Sequence, residues 1–179
     1  EVLAYIGNSG ETSSAPFVDG IRALRQAGST LKPFLYELAL EKRMLTAASI
    51  IEDSPFQVAT PTGLYVPENY GNDFLGPVSV RTALSSSLNI PAVRTVAMTG
   101  IEPFVSRLKK LGFESIRKDA DYYGHSIALG SVDISLAELV NAYRAIANGG
   151  RLGVLTYEAG KGKEHLKRVL DRDAVFIIS

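Results

Sequence analysis

The chain has 179 residues, 46% apolar and 21% charged, with acidic and basic side chains in equal number. That composition supports a folded core and excludes disorder, and neutrality without a basic run argues against nucleic acid as the main partner. The absence of cysteine removes disulfides, a thiol nucleophile and cysteine-ligated zinc. No apolar run approaches the roughly 20 residues needed to cross a bilayer. The opening Glu1-Val2-Leu3 resembles neither a signal peptide nor an initiator, so the chain reads as excised from something longer.

The apolar run at 2–6, stopped by Gly7-Asn8, predicts a buried strand, and the Ser-, Gly-, Thr- and Pro-rich residues 8–20 a loop. Gly28-Ser29-Thr30-Leu31-Lys32-Pro33-Phe34 then opens an apolar helix that fades near Lys42-Arg43. A second short helix is expected over 45–51. Residues 53–76 carry Pro55, Pro61 and Pro67 among Gly63, Asn69, Gly71 and Asn72, which predicts an extended, turning stretch that could shape a binding site.

Gly76-Pro77 suggests the start of a helix with Val80, Ala83 and Leu84 on its apolar face, ending in Ser85-Ser86-Ser87-Leu88-Asn89. Pro91 starts a further helix running to Met98-Thr99-Gly100, and another spans 102–111. Residues 114–132 are polar. Ser135 and Glu138 form a capping-box pattern opening the clearest helix, 136–147, closed by Asn148-Gly149-Gly150. A polar, basic stretch at 154–167 leads to Asp171, a cap for a last apolar helix through Phe176-Ile177-Ile178. Helices dominate, and a mixed α/β domain lacking some of its strands fits better than a finished helical bundle.

The chemistry centres on Ser29 and Lys32. Residues at i and i+3 share a helix face, so the amine lies within reach of the hydroxyl. Serine is a poor nucleophile until a base takes its proton, and burial or a nearby cation makes lysine such a base. Gly28 allows close backbone approach, and Pro33 falls in the first turn, where a missing N–H costs least. The same spacing recurs at Ser106/Lys109, inside an amphipathic helix with a solvated lysine, and at Ser115/Lys118, in a polar connection. Only the first copy combines glycine, proline and a helix start. Ser87 and Asn89 form a second constellation: beside a Ser–Lys pair, Ser87 could relay a proton and Asn89 hold an amide or the lysine. A serine-rich helix end satisfying its own carbonyls is the bland alternative.

Gly28-Ser-Thr-Leu-Lys-Pro-Phe34 resembles the active-serine motif of the penicillin-binding proteins, and Ser87-Leu-Asn-Ile-Pro-Ala-Val93 their second motif. Tyr65-Val-Pro-Glu-Asn-Tyr70, Gly76-Pro-Val, Arg81-Thr-Ala-Leu84, Ala128-Leu-Gly130 and Ala142-Tyr-Arg-Ala-Ile-Ala-Asn-Gly-Gly150 follow the family's order over almost the whole chain. The flavour is that of the bifunctional class A group, most similar to its 1C branch. The resemblance implies an α/β fold of the penicillin-binding and serine β-lactamase type. Residues 1–179 would be part of one transpeptidase domain: largely its helical portion, with one or two N-terminal strands and without the C-terminal sheet strands. It implies a D,D-transpeptidase that cross-links peptidoglycan stem peptides and is acylated by β-lactams, without cofactor or metal. Ser29 would be the nucleophile, Lys32 the proton acceptor, Ser87 part of the proton network and Asn89 a contact to the acyl-side amide. The implied location is the outer face of the cytoplasmic membrane, reached only through an upstream anchor, with a glycosyltransferase domain also upstream.

One departure stands out. The family's third motif, lysine-threonine/serine-glycine, is not in the sequence, and Lys161-Gly162-Lys163 does not match it. In the family that strand lines the substrate and supplies an oxyanion-hole amide, a loss worth about 10²–10³ in rate. The chain alone is therefore expected to be poorly active, and a non-catalytic peptide- or β-lactam-binding module is the alternative. His125 and His165 suggest no triad, Asp53, Glu68, Asp73 and Asp133 read as capping and turn residues, and Tyr65, Tyr70, Tyr122 and Tyr123 either line a peptide groove or pack loops.

Overall fold

The computed structural model describes residues 4–6, 10–12, 14–60, 63–71, 73–155 and 166–179. Strand β1 (Arg25–Gln26) leads into a 3₁₀ turn at Gly28–Leu31 and helix α1 (Lys32–Glu41). Strands β2 (Ile50–Asp53), β3 (Val58–Thr60), β4 (Gly63–Tyr65) and β5 (Gly76–Ser79) follow, then helices α2 (Val80–Ser85), α3 (Asn89–Thr99), α4 (Ile101–Lys110) and α5 (Ala120–Tyr123). A 3₁₀ segment, His125–Leu129, precedes β6 (Asp133–Ile134), α6 (Leu136–Ala147), β7 (Arg151–Leu152), β8 (Lys167–Arg168) and α7 (Arg172–Ile178). Among the described residues the strands form only two-stranded antiparallel ladders: β1 with β6, β2 with β5, β3 with β4 and β7 with β8.

Helix α1 is the centre. Phe34, Leu35, Tyr36, Leu38, Ala39 and Leu40 are all buried, so it is apolar on every side and must be wrapped by other elements. Helices α2, α3, α4 and α7 pack on it. The main core joins Leu31, Phe34, Leu35 and Leu38 to Val93 and Val96 of α3, Phe104 and Leu108 of α4 and Ala142 of α6. A smaller cluster sets Tyr36 and Ala39 against Ile51, Val78 and Ala83. Burial of α1 also encloses charge: Arg107 pairs with Glu37 at 2.7 Å and Glu41 at 2.6 Å, while the Asp171 N–H donates to Glu37 Oε1 at 3.3 Å. Burial pushes the Glu37 carboxyl up, against the pull of Arg107.

The helix over 136–147 is present with its full capping box. The Glu138 N–H donates to Ser135 Oγ at 3.2 Å, and the Ser135 N–H donates back to Glu138 Oε2 at 2.8 Å. Asp171 caps α7 by accepting from the Asp173 and Ala174 N–H groups, and Pro33 lies in the first turn of α1.

Three expectations need correction. Of the strand expected over 2–6, residues 2–3 lie outside the described residues and 4–6 are in no strand. The short helix over 45–51 is absent. Instead Ile50–Asp53 is a strand with Ile51 and Asp53 inward and Ile50 and Glu52 outward, because β-branched Ile50 and Ile51 favour the extended backbone that pairs with Ser79 and Val78. Pro77 does not start a helix either. It lies in β5 opposite Glu52, in a two-stranded ladder where a proline is tolerated at an edge, and α2 begins after Ser79, whose Oγ accepts the Thr82 N–H at 3.1 Å.

Candidate active site

Ser29 lies on the 3₁₀ turn just before α1, and that turn is gripped from several sides. Gly28 has φ 57° and Gly130 φ 74°, both in the left-handed region. The Gly28 N–H donates to the Gly130 carbonyl at 3.1 Å, and the Ala27 N–H to the Val132 carbonyl at 2.9 Å. The contact leaves no room for a side chain, since a Cβ on Gly130 would lie 2.0 Å from the Gly28 oxygen. On the other side the Tyr143 hydroxyl donates to the Thr30 carbonyl at 2.9 Å, while its ring packs edge-on against Phe34 at 5.1 Å. Ser29 itself is exposed, and its hydroxyl makes no hydrogen bond among the described residues.

Lys32 is the opposite case, with 1% of its surface exposed. Its Nζ donates to the Ser87 carbonyl at 2.6 Å, Asn89 Oδ1 at 2.7 Å and, more loosely, Ser87 Oγ at 3.3 Å. Burial lowers its pKa to about 8, since taking the ammonium out of water favours the neutral amine. The structure thus brings Lys32, Ser87 and Asn89 together across more than fifty residues of sequence. The Lys32 backbone N–H donates to the Ser29 carbonyl, but among the described residues no hydrogen bond joins the Lys32 amine to the Ser29 hydroxyl.

Ser87 terminates α2 with φ 54°, unusual for a residue with a side chain. Its N–H donates to the Leu84 carbonyl at 3.0 Å and the Leu88 N–H to the Ala83 carbonyl at 3.0 Å, the pair of bonds that closes a helix at a position normally held by glycine. The helix end does satisfy its own carbonyls, and the same turn presents the Ser87 carbonyl to Lys32. Asn89 begins α3. Its Nδ2 donates to the Glu68 carbonyl at 2.9 Å, which leaves Oδ1 facing the lysine.

Sequence reasoning missed what holds Asn89. The Asn69 Oδ1 accepts the Asn89 N–H at 3.0 Å, and Asn69 Nδ2 donates to Asp53 Oδ1 at 2.7 Å and to the Asp73 carbonyl at 3.0 Å. The other Asp53 oxygen accepts the Leu75 N–H at 2.9 Å. Asp53 is fully buried and Asn69 is 8% exposed. The sequence offers Asn69 within the stretch 65–70 and Asp53 as a capping or turn residue, with no sign that the two meet at Asn89.

The two other serine–lysine pairs are occupied differently. Ser106 is inside α4 and Lys109 Nζ donates to the Lys118 carbonyl, while Ser115 donates from both its N–H and its hydroxyl to Glu138 at 2.9 Å. Tyr65, Tyr122 and Tyr123 line a groove of about 640 Å³ with His125 and Ser126, and a smaller hollow of about 250 Å³ lies over Asn69, Ser87 and Asn89. Tyr70 is exposed. Burial holds the His125 imidazole below its usual range. His165 and Lys161-Gly162-Lys163 lie outside the described residues. Among the described residues no three His, Asp or Glu side chains converge as a metal site, and no helix is long and apolar enough to cross a membrane.

An exposed serine on a fixed turn, beside a buried amine of lowered pKa held by two fixed acceptors, is suited to covalent acyl transfer. Comparison with known proteins identifies the family. The family model for the penicillin binding protein transpeptidase domain matches residues 1–173. Among curated relatives, penicillin-binding protein 1C of Escherichia coli is 36% identical over 86% of this chain and 20% of its own length. Penicillin-binding protein 1A of Rickettsia felis is 35% identical over 84% of this chain and 19% of its own length. The chain therefore spans about a fifth of these relatives. The solved structure of penicillin-binding protein 1A from Haemophilus influenzae superposes with a TM-score of 0.79 at 26% identity, covering 90% of this chain and 30% of that one. Penicillin-binding protein A from M. tuberculosis, solved as an imipenem acyl-enzyme complex, gives 0.74 at 18% identity over 94% of this chain and 46% of that one, a likeness of fold. With a family model matched over nearly its full length, the chain belongs to the penicillin-binding protein transpeptidase family.

Proposed function

We propose that the chain is part of a peptidoglycan D,D-transpeptidase domain in which Ser29 forms an acyl-enzyme with stem peptides ending in D-Ala-D-Ala. The neutral Lys32 amine takes the Ser29 hydroxyl proton as Oγ attacks the penultimate D-alanine carbonyl. The tetrahedral adduct collapses with cleavage of the C–N bond, and the proton passes through Lys32 and Ser87 to the leaving nitrogen, releasing the terminal D-alanine. Asn89 contacts the acyl-side amide. The amine of a second stem peptide then attacks the ester, forms the cross-link and returns the proton to Ser29. A β-lactam follows the first half of this path: its ring amide opens and its acyl group stays on Ser29. These substrates place the reaction in the cell envelope, outside the cytoplasmic membrane.

The observation that carries this reading is the Lys32 amine, buried, lowered to about 8 and fixed by the two residues of the second motif. The test is intact mass after incubation with a penicillin, for the chain and for Ser29→Ala, with peptide mapping of any adduct. An adduct on Ser29 that is lost in the alanine variant supports the mechanism, and an adduct on another serine overturns it. Without a lysine-threonine/serine-glycine motif the chain alone is expected to label slowly, so the full-length protein is measured beside it. No adduct in the full-length protein would favour the non-catalytic binding module.

A further inference from the structure

We infer that Asp53 and Asn69 are positioning residues for acylation: together they hold Asn89, and through it Lys32. The inference rests on the transpeptidase reading above. Its starting point is the chemistry of the four partners. A carboxylate accepts and cannot donate, so Asp53 compels Asn69 to turn its NH₂ toward β2 and its oxygen toward the start of α3. The Asp73 carbonyl, also only an acceptor, enforces the same orientation. Asn69 Oδ1 then takes the Asn89 N–H at 3.0 Å, and a longer contact to the Ile90 N–H at 3.4 Å, where α3 has no side-chain cap of its own. Glu68, next to Asn69 on the same loop, uses its carbonyl to hold Asn89 Nδ2 at 2.9 Å. Asn89 is thus fixed at its backbone and its side chain by one loop, and that loop is fixed by Asp53. The product is a carboxamide whose oxygen can point only at Lys32 Nζ.

A buried carboxylate bonded to neutral N–H groups is a costly way merely to brace a loop. Asp53 makes no ion pair among the described residues, and both its oxygens are spent on Asn69 and Leu75. What it secures is orientation. An asparagine at 53 would have to turn an NH₂ toward either Asn69 Nδ2 or the Leu75 N–H, so one donor would face another.

The consequence at the lysine has a sign. Asn89 Oδ1 accepts from Nζ and so favours the ammonium, in opposition to burial. Releasing Asn89 therefore lowers the Lys32 pKa while it loosens the amine. The surrounding elements carry the titratable or charged groups Tyr36, Glu37, Glu41, Glu52, Asp53, Glu68, Tyr70, Asp73, Arg81, Arg94 and His125, and burial alone accounts for the Lys32 shift.

The experiment compares Asn69→Ser, Asp53→Asn and the exchange Asp53→Asn with Asn69→Asp. In the exchange, an aspartate at 69 accepts from both Asn89 and the asparagine at 53, whose oxygen takes the Leu75 N–H; the Asp73 carbonyl loses its donor and faces a carboxylate oxygen instead, so the return is partial. Acylation of the full-length protein by a fluorescent penicillin is followed against pH, with thermal melting to report the folded fraction. The Lys32 titration is read separately by NMR of ¹³Cε-labelled lysine, assigned with Lys32→Arg. Each single variant should acylate at least about tenfold more slowly, with the rise of rate with pH and the Lys32 titration both displaced downward by about one pH unit. The exchange should return both midpoints toward the wild-type value. Slower acylation with both midpoints unmoved would make the two residues mere loop supports and overturn the inference, as would unchanged rates. Asp53→Asn is isosteric and decides the matter if Asn69→Ser melts below the assay temperature. If wild-type protein is not acylated at Ser29, the transpeptidase reading falls, and the NMR midpoints still decide whether Asp53 and Asn69 govern Lys32.

Discussion

Gly130→Ala tests whether the serine turn is held as tightly as its geometry implies. The new Cβ would lie 2.0 Å from the Gly28 oxygen, 2.3 Å from its nitrogen and 2.5 Å from its carbonyl carbon, where contacts under 3.0 Å essentially never occur. All three atoms are backbone, so no rotamer relieves the clash and the two segments must part by about 1 Å. The movement breaks the Gly28–Gly130 hydrogen bond, worth about 1 kcal/mol, and alanine at φ 74° adds about 1 kcal/mol of strain. For a chain of this size a total of about 2 kcal/mol corresponds to a melting point lower by about 4–8 °C. The effect on chemistry is larger, because Ser29 is the next residue and a displacement of about 1 Å in a reacting group can cost about 100-fold in rate. The assay is the second-order rate of labelling by a fluorescent penicillin in the full-length protein, corrected for folded fraction. Labelling within about twofold of wild type would refute the claim that the Gly28–Gly130 contact places the nucleophile.

With the neutral Lys32 amine as the proposed base, acylation should rise with pH through a midpoint near 8; a pH–rate profile that is flat from 6 to 9 would contradict this. The same shift gives a stability signature. Lys32 holds its proton less well folded than unfolded, so its contribution is greatest above the unfolded value near 10.5 and is lost as pH falls through about 8, a slope that Lys32→Met should remove from denaturation curves. Ser87→Gly should raise stability by about 1 kcal/mol by relieving φ 54°, yet slow acylation, a divergence visible by melting and labelling the same sample. Arg107→Ala should cost about 3–5 kcal/mol in urea unfolding because it strands the buried Glu37, and adding Glu37→Gln should recover part of the loss.

What the sequence made legible was local. Ser135 and Glu138 needed only each other to cap α6, and Asp171 only the next two N–H groups to cap α7. The stripe Phe104, Val105, Leu108 and Leu111 needed only a helical period, and all four are buried. Local pattern failed at 45–51 and at Pro77 because both segments take their conformation from pairing with each other as β2 and β5. The site divides along the same line. Ser29 and Lys32 are neighbours by spacing, whereas the bonds from Lys32 to Ser87 and Asn89 depend on α1 meeting the start of α3. The roles of Asp53 and Asn69 toward Asn89 were not legible for a further reason: Asn69 reaches Lys32 through Asn89 and Asp53 through both, and a loop asparagine carries no sign of which helix it caps.

The hydrogen bonds of Lys32 address a conflict inside the proposed mechanism. As a link between α1 and the second motif the amine gains from its charge, while as a base it must lose it. An ammonium has three protons to donate, and a neutral amine two with one lone pair. Two of the three acceptors around Nζ are close, the Ser87 carbonyl at 2.6 Å and Asn89 Oδ1 at 2.7 Å, and neither can donate. The third, Ser87 Oγ at 3.3 Å, is weak and belongs to a hydroxyl that can reverse its role. Deprotonation therefore keeps both strong bonds and gives up only the weak one, so the link survives in the basic form. With two directions already fixed by carbonyl-type oxygens, the lone pair is confined to the remaining side, that of Ser87 Oγ. Burial supplies the drive toward the neutral form and lowers the amine to about 8, the range the proposed base requires.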